Sequence, residues 1–113
     1  MVTDCDLSQD PLVFIKECVQ NRRIFWTYHV NMRLRMRGIT RKAIIGSIDS
    51  YQLIEAYPDD KYLPSYLIWS EDESITIHIL FAVDVEQRNV RVITAYHPDP
   101  DEWDNGLKRR RAK

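Results

Sequence analysis

Three short phrases carry the residues best suited to chemistry. In Ser74 to Val83 the odd positions Ile75, Ile77, Ile79, Phe81 and Val83 are all apolar, while Thr76, His78, Leu80 and Ala82 alternate with them. The period of two predicts a strand whose odd side chains face a core and whose His78 sits mid-strand on the opposite, less apolar face. His29, Arg33 and Arg37 follow at i, i+4 and i+8, the spacing of one helix face. A histidine in the first turn of a helix, near an arginine, is disfavoured as imidazolium, so His29 suits a general base near neutrality. Arginine one turn along suits a phosphate, through its planar fork of donors. The plainer reading is that His29 and His78 make structural hydrogen bonds and the arginines are solvated. A metal centre fits poorly, because His29, His78 and His97 are scattered and Cys5 and Cys18 share no CxxC, HxxxH or HExxH pattern. Gly38, Gly46 and Gly106 stand alone, so there is no glycine-rich phosphate loop, and no serine lies in a GxSxG elbow. Phosphate handled by arginine, histidine and tyrosine, with no cofactor, is the chemistry that remains.

The elements around these residues belong to a single folded domain. The chain has 113 residues, 44% hydrophobic and 29% charged, with only 3 Gly and 5 Pro; this excludes disordered, collagenous and low-complexity classes. No apolar run approaches the roughly 20 residues of a membrane span. The first ten residues carry Asp4, Asp6 and Asp10 where a secretory leader would be basic and then apolar. A cytoplasmic protein with reduced cysteines is expected. The net charge of −1 conceals segregation. Between residues 22 and 48 every charge is basic (Arg22, Arg23, Arg33, Arg35, Arg37, Arg41 and Lys42), whereas residues 49–104 are strongly acidic. Lys108, Arg109, Arg110, Arg111 and Lys113 then close the chain. Such segregation speaks of partners rather than fold. The expected organisation is a domain over residues 1–104, with Trp103 docked on it, and a basic mobile tail over 105–113 that clamps an RNA backbone, meets an acidic protein surface or only keeps the chain in solution.

Asp10-Pro11 reads as a helix entry, and Leu12, Ile15, Cys18 and Val19 recur at helical spacing up to about Arg22-Arg23. Ile24 to Thr27 reads as a brief strand or extended link. Thr27 caps a second helix over Tyr28 to Arg37, stopped by Gly38 in a left-handed turn, and Thr40 caps a third over Arg41 to Ile48. Strands are expected at Gln52 to Tyr57, Tyr66 to Ser70, Ser74 to Val83 and Val90 to Tyr96. Short connections favour antiparallel pairing throughout. The fold class is therefore α+β, with N-terminal helices packed on one face of an antiparallel sheet of about four strands.

Four ordered phrases resemble one prokaryotic family of unknown function, numbered 4258. They are Tyr28-His29-Val30-Asn31-Met32-Arg33 running on to Arg37-Gly38-Ile39-Thr40, then Ile54-Glu55-Ala56-Tyr57-Pro58-Asp59-Asp60, then Ile77-His78-Ile79, and last Thr94-Ala95-Tyr96-His97-Pro98-Asp99. The resemblance spans about residues 28–103. One departure is His97, where the family commonly has Glu. Members of this family resemble RelE-like and BrnT-like ribonuclease toxins and tend to be encoded beside YgiT-type zinc-finger antitoxins. The resemblance implies a RelE-like fold and the toxin of a type II toxin-antitoxin system, a metal-independent endoribonuclease that cleaves mRNA by 2′-hydroxyl attack and is restrained by a cognate antitoxin. On that reading His29, Arg33, His78 and Tyr96 are the catalytic candidates, and Arg37, Arg41, Lys108, Arg109, Arg110 and Arg111 contact RNA. The alternative is a non-enzymatic module that binds RNA or a protein.

Overall fold

A computed structural model describes residues 10–111. Cys5 and Lys113 lie outside the described residues. Helix α1 spans Pro11–Gln20, and its Asp10 carboxylate accepts from the Leu12 and Val13 amides, satisfying donors that have no partner inside the helix. Strand β1 is Ile24–Trp26. Helix α2, Tyr28–Met36, starts with the Thr27 hydroxyl accepting from the Val30 amide and stops before Gly38, whose φ of +68° lets the chain turn left-handed. Helix α3, Arg41–Gly46, is capped by Thr40 and followed by a 3-10 turn at Ile48–Ser50. The helix expected to run to Ile48 thus ends two residues early, at Gly46.

Four longer strands follow: β2 Gln52–Tyr57, β3 Ser65–Asp72, β4 Ile75–Asp84 and β5 Asn89–Tyr96. Glu73 and Ser74, both at positive φ, form the two-residue turn between β3 and β4. The signs match a primed turn, whose twist suits a tight hairpin. The sheet order is β1-β5-β4-β3-β2. Here the expected antiparallel sheet of about four strands is corrected to a mixed sheet of five. β1 runs parallel to β5, with Ile24 opposite Val90 and Trp26 opposite Val92. Parallel neighbours need a long crossover, and the helices and strands between residues 26 and 89 supply it.

The three α-helices among the described residues pack on one face. Phe14, Ile15, Cys18 and Val19 of α1, Val30 and Leu34 of α2 and Ile44 of α3 are buried with Ile77, Ile79, Phe81 and Val83 of β4. The alternation read from β4 therefore holds, except that Ile75 is exposed at its start. Tyr51 crosses this core and donates from its hydroxyl to the Ile44 carbonyl at 2.7 Å. That carbonyl also accepts from the Ser47 hydroxyl at 3.1 Å, so Tyr51→Phe leaves it partnered. Its expected cost is about 1 kcal/mol, read from urea unfolding; a loss of several kcal/mol would mean that the ring packing had changed as well.

No helix among the described residues is long and apolar enough to cross a membrane. The last elements lie across the sheet face that the helices leave free. Trp103–Asp104 (β6) pairs antiparallel with Arg109–Arg110 (β7). The tail expected to be mobile from residue 105 is thus the returning arm of a hairpin through Arg110. Its charges are drawn in rather than mutually repelled: Arg110 pairs with Glu55, and Arg111 lies 3.9 Å from Asp104.

Candidate functional site on the free sheet face

Register places one side chain after another on the face opposite the helices. Glu55 of β2 lies opposite Leu67 and Tyr57 opposite Ser65. Leu67 lies opposite Leu80 and Trp69 opposite His78. Leu80 in turn faces Thr94, and His78 faces Tyr96. Irregularities in β2 between Leu53 and Glu55 and in β5 beside Phe81 keep these residues in phase. Three of the four phrases that carry the family resemblance therefore deliver polar side chains to a single surface.

His78 is fully buried there. The Trp103 ring meets it edge to face at 4.5 Å, and the Tyr96 ring at 5.4 Å. Its Nε2 lies 2.7 Å from the Leu107 carbonyl. A carbonyl only accepts, so Nε2 carries the proton and Nδ1 is left to accept from the Tyr96 hydroxyl at 3.4 Å. Burial holds the imidazole pKa below its ordinary value, opposed by the bond to Leu107, and burial raises that of the Tyr96 hydroxyl. Both groups are therefore neutral near pH 7.

This bears on stability. A histidine whose pKa is lower folded than unfolded binds its proton preferentially in the unfolded chain. Its contribution is complete above about pH 6.5 and is lost as the pH falls through the lowered value. We expect the urea midpoint to drop between about pH 7.5 and pH 5 more steeply in the native protein than in His78→Gln, whose amide imitates Nε2 without titrating. Parallel curves would show that His78 is not the source.

Beside this sealed histidine lies an open cleft of about 290 Å³, lined by Tyr57, Asp60, Ser65, Leu80, Tyr96 and Arg110 among others. At its mouth Arg110 Nε is 2.8 Å from Glu55 Oε2 and its Nη2 is 3.3 Å from Oε1. The Tyr57 hydroxyl donates to the same Glu55 Oε1. Burial, then the neighbouring Glu55, raise the Tyr57 pKa, while Glu55 raises that of Arg110. Asp60 Oδ2 accepts from the Ser65 hydroxyl at 2.6 Å, which fixes that carboxylate at the cleft edge. Arg37 reaches the same region from the other side: its Nη1 donates to Thr94 Oγ1 at 3.1 Å and to the Ala95 carbonyl at 2.8 Å. It thereby satisfies part of β5 beyond the end of β1.

The remaining sequence candidates are dispersed. His29 and Arg33 are exposed on α2, which packs on the helical face, so the structure does not bring His29 to His78. Arg41 stacks over Trp26 at 5.0 Å and donates twice to Asn31 Oδ1. Lys108 Nζ sits 4.3 Å over the Trp69 ring, Arg111 donates to the Pro100 carbonyl, and Arg109 is exposed. Glu55 and Tyr57 had no role assigned from sequence, although their i, i+2 spacing on a strand already placed them on one face. A larger cavity, about 460 Å³, opens beside Glu17 and Cys18. Burial there pushes the Cys18 thiol up to about 11, so it is no ready nucleophile. Among the described residues no three His, Cys, Asp or Glu side chains gather as a metal-binding group.

An α+β domain with helices on one sheet face and an open cleft, rimmed by a C-terminal hairpin, on the other is the class this arrangement defines. The model of one family, a domain of unknown function named DUF4258, matches residues 26–97. The chain belongs to that family. No curated protein and no solved structure matches it.

Proposed function

We propose that the protein is a metal-independent endoribonuclease that works at the free-face cleft, the toxin of a toxin-antitoxin pair on the resemblance described above. The observation that carries the catalytic reading is that Tyr57 and Arg110, which line the cleft with Tyr96, are both bonded to the Glu55 carboxylate. Cleavage by an internal 2′-hydroxyl needs a base for that hydroxyl, a proton for the leaving 5′-oxygen and positive charge for the phosphorane. Glu55 takes the 2′-hydroxyl proton as the 2′-oxygen bonds to phosphorus. The bond from phosphorus to the 5′-oxygen breaks, that oxygen takes the Tyr57 proton, and Tyr57 recovers one from Glu55 through their hydrogen bond. The products are a 2′,3′-cyclic phosphate and a 5′-hydroxyl. Arg110 turns from Glu55 to the phosphate, and the Tyr96 hydroxyl turns from His78 Nδ1 to donate to a phosphoryl oxygen. His78 acts through Tyr96 as a positioning residue. A cognate antitoxin of the YgiT type would restrain the enzyme by covering the same cleft.

Purified protein incubated with RNA in the presence of a chelator tests this directly. Ends bearing cyclic phosphate support it, and intact RNA at high protein concentration refutes it. One observation favours a second reading, a non-enzymatic RNA- or protein-binding module: Arg110 is already paired with Glu55, and His78 is sealed from solvent. Such a module binds in a salt-dependent way and leaves no covalent product.

A further inference from the structure

A second cavity adjoins the cleft and shares Asp60 with it. It encloses about 330 Å³ and is lined by Tyr62, Leu63, Ala82, Arg91 and Ile93 among others. Arg91 and Ala82 are opposite each other on β5 and β4, so the second cavity continues along the same sheet face. Like the cleft, it is lined mainly by apolar surface. Tyr62 is 85% exposed, and Ile93 is exposed as well, at 42%. Leu63 is half-buried and Ala82 is buried. The Arg91 guanidinium is half exposed and lies 3.9 Å from Asp84, which leaves it loosely held. Between the two cavities stands the Asp60 carboxylate, fixed by the Ser65 hydroxyl and the Lys61 amide.

We infer that this second cavity is a subsite for the nucleotide next to the scissile phosphate in a single RNA strand, an assignment that rests on reading the cleft as an RNA site. An apolar floor with an exposed phenol ring at its rim suits a base, because every base has a face to stack and stacking tolerates any sequence. Arg91 at one end and Arg110 at the other supply cations for the phosphates on either side of that base. Asp60 repels a phosphate at the junction and accepts from base N–H groups, so a base and not a phosphate passes it. The free face thus reads as phosphate, base, phosphate along one groove. The exposed Tyr62 ring, which contributes nothing to the core, is explained by the same assignment.

The probe is a short fluorescein-labelled 2′-O-methyl oligoribonucleotide, which can bind but lacks the nucleophile for cleavage. Tyr62→Ala should weaken its binding by about 5- to 150-fold, the range expected for one stacked base, and Tyr62→Phe should restore it. Tyr28→Ala removes a tyrosine of similar exposure on the helical side and should leave binding unchanged. Binding that ignores Tyr62→Ala, falls equally with Tyr28→Ala, or is absent from the native protein overturns the subsite. Cleavage of unmodified RNA is scored separately. Tyr62-dependent binding without cleavage keeps the subsite and sinks the nuclease reading, whereas cleavage without Tyr62-dependent binding does the reverse.

Discussion

Glu55→Gln should lower the rate of RNA cleavage at saturating substrate by about 10²–10⁴, the usual contribution of a positioned general base. The substitution keeps the shape of the side chain and removes its ability to hold the 2′-hydroxyl proton. It also removes the charge that holds Arg110, through bonds of 2.8 and 3.3 Å. RNA affinity should therefore hold or rise while turnover falls, a split that simple loss of the fold would not produce. Stability should change little, because the Arg110 partner of this pair is more than half exposed and exposed pairs contribute at most about 1 kcal/mol. Single-turnover cleavage followed on a gel, beside a thermal melt, separates these effects. Undiminished cleavage by Glu55→Gln would remove Glu55 from the chemistry.

The second large effect concerns the hairpin. Trp103→Ala should destabilise the protein by about 3–5 kcal/mol, the range for deleting a buried aromatic ring. Trp103 is almost fully buried, stands edge to face on His78 and carries Arg110 over its ring at 4.6 Å. With the ring gone, the hairpin loses its anchor, Leu107 no longer caps His78, and water reaches the imidazole. The His78 pKa should then rise towards its ordinary value, because burial is the main cause of its depression. NMR titration of the His78 ring protons reads this shift, and urea unfolding reads the stability. Trp103→Phe keeps an aromatic edge on His78 and should lose less on both measures. An unchanged His78 titration in the Trp103→Phe and Trp103→Ala proteins alike would separate the hairpin from the histidine.

The helices and most strands were legible because their signals are local. Asp10, Thr27 and Thr40 are short polar caps followed by helical spacing, and all three accept hydrogen bonds from the helix starts they mark. The strict alternation of Ile77, Ile79, Phe81 and Val83 around His78 assigned both faces of β4 before any contact was known. The direction of β1 was not legible. Three residues carry no sign of which strand they will join, and parallel pairing with β5 depends on where the chain returns some sixty residues later.

The site divides along the same line. Sequence by itself determined which residue types were present for phosphate chemistry, and that His78 and Tyr96 stood on strands with defined faces. Only the tertiary structure decided that His29 stays on the helical side, that His78 is sealed beneath Trp103, and that Glu55 meets Tyr57 and Arg110 beside the cleft those two line. The basic tail shows the reason most directly. A run of like charges in isolation repels itself, but Glu55, Asp104 and the Trp69 and Trp103 rings each hold one of its cations. Those partners come from β2, β3 and the hairpin itself, so the energy that orders Arg110 exists only after the sheet has formed.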